Sequence, residues 1–86
     1  MSHNTSRREE QDRLAKIILS CLERRGRVRR TDLLKLTLRQ CGTPRKFDSI
    51  FEYLRRHGWV EKLGPPRSRA PYRITEKGRK FLDLIE

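Results

Sequence analysis

Residues 43–86, TPRKFDSIFEYLRRHGWVEKLGPPRSRAPYRITEKGRKFLDLIE, read in order as an amphipathic helix, a short strand, a basic proline-rich loop, a returning strand and a closing helix. In the first piece Phe47, Ile50, Phe51 and Leu54 recur at i, i+3, i+4 and i+7, the spacing that puts all of them on one face of a helix. Thr43 is positioned to cap that helix, and Pro44 takes its first position, where a missing amide proton costs nothing. Arg45, Ser49, Glu52 and Arg56 then fall opposite the apolar stripe, flanked by Lys46 and Tyr53. Helix 44–57 thus presents a polar, mostly cationic outer face, and Gly58 closes it after His57, read as a polar residue of no special role.

Trp59 to Leu63 is rich in strand formers. Loop 64–71, GPPRSRAP, cannot be helix or central strand because of its tandem prolines, and it carries Arg67, Ser68 and Arg69 at its tip. Tyr72 and Ile74 alternate with Arg73 and Thr75 as a half-buried strand does. Thr75 is the expected cap of the last helix, with Glu76 in its first turn and Phe81, Leu82 and Ile85 on one side.

Upstream, Ser6-Arg7-Arg8-Glu9 matches a capping box, so the first helix is expected to start at Ser6 and residues 1–6 to fray. Its apolar stripe is Leu14, Ile17, Ile18, Cys21 and Leu22, ending at Gly26. Val28 is too isolated for a strand of its own but can extend the edge of the later hairpin. Thr31 is expected to cap a short helix from Asp32 to about Arg39, with Leu33, Leu34, Leu36 and Leu38 supplying apolar contacts. Two helices joined by a turn over residues 40–43 have helix-turn-helix geometry, and a plain helical bundle is the rival reading of the same spacing.

The whole chain has 86 residues, 22 Lys and Arg against 11 Asp and Glu, and a formal charge of +11. Such an excess opposes compaction, so a polyanionic partner is the natural reason to carry it. One modest core fits in this length, and function is expected at the surface. Arginine outnumbers lysine 16 to 6, which suits phosphate and guanine edges but also follows from genome composition or a hot habitat. No spanning apolar segment is present, and MSHNTSRREE lacks both a secretory apolar region and a glycine at position 2. The expected location is cytoplasmic and nucleoid-associated.

Cys21 and Cys41 have neither CxxC spacing nor a histidine cluster, which argues against zinc. Core thiols and an intrachain Cys21–Cys41 disulfide both remain open. Trp59, Tyr72 and Phe81 sit on apolar alternations and read as core, not as base-stacking platforms. No nucleophile, base and orienter can be assembled, and no glycine-rich phosphate loop occurs, so an enzyme is not expected and no cofactor is implied.

The order helix, short strand, helix, helix, hairpin, helix resembles the winged helix-turn-helix domain of small archaeal and bacterial transcription regulators, over residues 7–86. FDSIFEYLRRHGWVEK is similar to the family's recognition helix running into its first wing strand, and YRITEKGRKFL to its last wing strand and closing helix. The resemblance implies an α+β, mainly helical fold with a three-helix core, a β-hairpin wing and a C-terminal helix, in a single domain over residues 1–86. It also implies sequence-specific binding of double-stranded DNA, with recognition contacts from Thr43, Arg45, Lys46, Ser49, Tyr53 and Arg56. Wing contacts would come from Arg67, Ser68 and Arg69, and backbone-phosphate contacts from Arg29, Arg30 and Thr31.

Glu52 departs from that pattern, and a pair with Arg56 is expected to neutralise it. The outer face of the helix and the loop arginines also have a plain reading as solvated surface. Leu19 and Leu84 lie off the apolar stripes of the terminal helices and predict a homodimer through them. Structured RNA, a ribosomal or replication assembly, and an acidic protein partner are the alternatives to DNA.

Overall fold

A computed structural model describes residues 3–85, with side chains from residue 9 to residue 84. The chain folds as a mainly helical α+β unit of four helices and a two-stranded antiparallel hairpin: α1 (His3–Arg25), α2 (Arg30–Cys41), α3 (Pro44–Arg56), β1 (Val60–Lys62), β2 (Tyr72–Ile74) and α4 (Glu76–Ile85). α1 begins at His3, so Ser6 lies inside it and not at its cap. With no proline or glycine before Gly26, nothing in the backbone stops the helix from extending past Ser6.

α1 is the central element, in contact with α2, α3, α4 and β2. It buries Leu14, Ala15, Ile18, Leu19, Cys21 and Leu22. Leu19 is fully buried, contrary to its expected place on a free surface. α4 lies along that flank, as the Arg79–Glu23 pair at 3.9 Å one turn beyond Leu19 records.

α2 starts at Arg30 with Arg29 as its N-cap, earlier than expected, and Thr31 is not the cap. The backbone explains this: Val28 exchanges both main-chain hydrogen bonds with Tyr72, at 3.0 and 2.8 Å, which holds the chain extended up to Arg29. The Arg29 carbonyl then accepts from Leu33 at 2.9 Å and opens the helix. Leu33, Thr37 and Cys41 form the inward face, while Leu36 and Leu38 are 40% and 36% exposed and do not join the core. Thr37 is accommodated there because its hydroxyl donates to the Leu33 carbonyl at 2.8 Å.

α3 follows the sequence closely. Thr43 accepts from the Lys46 amide at 3.1 Å, and Phe47, Ile50, Phe51 and Leu54 are buried. Its end is a Schellman arrangement: Trp59 N–H donates to Leu54 O and Gly58 N–H to Arg55 O, both at 3.0 Å. Gly58 takes φ 72°, a conformation that costs a side-chain-bearing residue free energy.

The strands pair Val60 with Ile74 and Lys62 with Tyr72, and Val28 adds to the far edge of β2, as expected. Regular strand is shorter than the expected 59–63, although Trp59 and Leu63 still accept and donate at its ends through Thr75 and Pro71. Trp59 and Tyr72 are buried and Phe81 half-buried; the Trp59 and Phe81 rings stack with centroids 3.7 Å apart. Cys21 and Cys41 are buried in the core as free thiols. Burial pushes the Cys41 thiol pKa up, against a hydrogen bond to Thr37 that lowers it. A neutral, enclosed thiol is a poor nucleophile.

Candidate functional site

The N-terminus of α2, the last turn of α3 and the hairpin meet around an open groove of about 670 Å³. Arg29, Arg30 and Thr31 line one wall, Arg55 contributes from α3, and Lys62, Ser68 and Arg69 come from the hairpin. Each element is delivered by its own feature of the backbone. Val28 pins the start of α2 to β2, the Schellman turn swings the chain from α3 into β1, and tandem prolines shape the loop between the strands.

The loop is closed by its own hydrogen bonds. Ser68 donates from its amide at 3.1 Å and its hydroxyl at 2.7 Å to Pro65 O, and Lys62 Nζ donates to Pro66 O at 2.7 Å. The Ser68 hydroxyl proton is therefore committed inside the loop, and the oxygen also accepts from Ala70 N at 3.3 Å. The cations carry the outward charge. Lys62 additionally lies 5.9 Å from the Tyr72 ring.

Carboxylates of α3 temper this charge. Arg30 donates to Asp48 at 2.8 Å, approaches Glu52 at 4.0 Å and lies 5.0 Å over the Phe51 ring. Glu52 is also bound by Arg55 at 2.8 Å, so the expected Glu52–Arg56 pair is replaced by contacts on the side facing α2. Arg29 and Arg69 form no ion pair with another described residue.

The other expected residues divide into three groups. Arg45, Ser49 and Arg56 are exposed on the outer side of α3, and Arg67 is exposed in the loop without lining the groove. Lys46 turns toward α1, where it pairs with Glu10; with Ser49 and Ile50 they border a separate depression of about 320 Å³. The Lys46 contact, chiefly its hydrogen bond, holds the Glu10 carboxyl below its ordinary value. Thr43 is occupied as the α3 cap. Tyr53 is half-buried, edge-on to Trp59 at 5.4 Å and to His57 at 4.7 Å, so its ring serves the packing of the hairpin base.

Arg55 and Lys62 are the groove cations that sequence reasoning missed. Helical spacing sets Arg55 beside Asp48, off the centre of the outer face. Only the packing of α2 against that flank makes it a lining residue.

Among the described residues, no group of three or more His, Cys, Asp or Glu is arranged to hold a metal ion. No helix in the described residues is long and apolar enough to cross a membrane. No family model matches the chain, and neither a curated protein nor a solved structure matches it.

Proposed function

We propose that the chain is a winged helix-turn-helix protein that binds double-stranded DNA in the cytoplasm as a transcription regulator, with α3 in the major groove and loop 64–71 as the wing on phosphates or in the minor groove. One observation carries the reading: Arg29, Arg30, Arg55, Lys62 and Arg69, from three separate elements, converge beside the exposed face of α3. Supporting it are the single-residue bridge from Val28 to the hairpin that follows the α2–α3 pair, and a net charge of +11. Phosphates in the groove would position the protein, and Arg45, Ser49 and Arg56 would meet base edges. A homodimer through α4 suits a regulator, and Leu84, 84% exposed, is the apolar residue available to it.

The test is selection of bound fragments from a random duplex library, followed by anisotropy titrations over a range of salt. Arg29→Ala and Arg69→Ala should weaken binding to every duplex and make the salt slope shallower by about one unit each. Arg45→Ala should cost about 1 to 3 kcal/mol on the selected site alone. Unchanged slopes in both groove variants would remove this face from the interface. Duplex RNA outcompeting duplex DNA at fixed salt would move the reading to RNA.

A further inference from the structure

A second open depression, of about 660 Å³, adjoins the groove at Arg29, which lines both. Its rim is cationic: Arg25 ends α1, Arg27 and Arg29 flank Val28, and Lys35 projects from α2. Val28 is buried while Arg27 and Arg29 are exposed, the alternation expected of an extended segment paired to β2. Unlike Arg30 and Arg55, none of these cations forms an ion pair with another described residue.

Between them lies apolar surface from Leu36, 40% exposed, and Pro71. Leu36 is on this flank because the inward face of α2 is taken by Leu33, Thr37 and Cys41. A cationic ring around an exposed leucine complements a chain that offers carboxylates on either side of an apolar side chain. A phosphodiester backbone would supply the charge and leave Leu36 uncovered. Asp32, the one carboxylate in the lining, can accept from a peptide N–H.

We propose that this depression docks an acidic peptide segment of a partner protein, with one apolar side chain seated on Leu36 and flanking carboxylates on Arg25, Arg27 and Lys35. This surface adjoins the groove at Arg29, and the proposal does not rest on the nucleic-acid reading.

The experiment titrates the full chain against two fluorescent acidic peptides of equal charge, one with a central phenylalanine between aspartates and one with glutamine there. The phenylalanine peptide should bind about tenfold more tightly. Arg27→Glu and Lys35→Glu should each weaken it by about tenfold. Leu36→Ser should bring the two peptides to the same affinity. Arg69→Ala, which tests the groove, should leave peptide binding unchanged. Equal binding of the two peptides, or a phenylalanine preference that survives Leu36→Ser, would overturn the proposal. Loss of duplex DNA binding in Arg27→Glu, with peptide binding intact, would also overturn it by assigning the rim to nucleic acid. Circular dichroism melts matching the parent chain show that each variant is folded.

Discussion

Glu52 and Arg55 are bound one turn apart on α3, at 2.8 Å, and the same carboxylate lies 4.0 Å from Arg30 of α2. Glu52 thus holds Arg55 and, more distantly, shares Arg30 with Asp48, which binds it at 2.8 Å. Exposed pairs of this kind are worth about 0 to 1 kcal/mol, so their effect is on where the guanidinium groups point more than on folding.

Glu52→Gln should therefore release Arg55, while Asp48 still binds Arg30 at 2.8 Å, and tighten binding to every duplex by about twofold to fivefold. Anisotropy on specific and scrambled duplexes measures this. If affinity instead falls on the selected duplex alone, the carboxylate accepts from a cytosine amino group and belongs to base reading.

Thr75 joins the two ends of the hairpin's base. Its hydroxyl donates to the Gly58 carbonyl at 2.7 Å and accepts from the Gly78 amide at 3.0 Å, capping α4 and tying it to the end of α3. Thr75→Val keeps the shape and loses both, so it should destabilise by about 1 to 2 kcal/mol, with Thr75→Ser close to the parent. Urea midpoints decide the matter, and an unchanged midpoint for the valine variant contradicts the role.

Gly78 sits in the first turn of α4, where helix propensity favours alanine by about 1 kcal/mol. Packing says the opposite. A Cβ at Gly78 would overlap the Trp59 carbonyl oxygen and stand 2.8 Å from Ile74 Cγ1. Gly78→Ala should lower stability by about 1 to 3 kcal/mol as α4 is pushed off the hairpin. A rise in urea midpoint would show that the helix shifts at no cost.

Glu10 gives a pH dependence whose sign follows from its lowered pKa. Folding favours the ionised carboxylate because Lys46 binds it, so the contribution is present above the ordinary value of 4.5 and fades as pH falls through the depressed one. Glu10→Gln should cost stability near neutrality and have a flatter acid limb. Urea midpoints for both proteins from about pH 6 to about pH 2 test it, since the gap between them should close on acidification. A constant gap would mean that the loss is steric.

α3 and α4 were legible because their signals are local. The Thr43 cap, Pro44, the Phe47 to Leu54 stripe and Gly58 each act within a turn or two, as does the Thr75 cap. The groove was legible only in part: Arg29, Arg30, Thr31, Ser68 and Arg69 were expected on it, while Arg55 and Lys62 were not. Lys46 and Tyr53 were expected on the reading face but are engaged by Glu10 and by Trp59.

Helix periodicity, capping residues and turn residues thus fixed α3, the hairpin and the capped start of α4 within the chain's own local chemistry. Long-range contacts settled the rest. The pairing of Val28 with Tyr72 placed the start of α2, and the packing of α2, α3, α4 and β2 around α1 buried Leu19. The approach of α2 to one flank of α3 set Arg30 beside the Glu52–Arg55 pair and Asp48, on the side away from Arg56. The physical reason is range: a cap or a stripe is defined by residues a few positions apart, whereas the company a charge keeps depends on which distant surface is packed beside it.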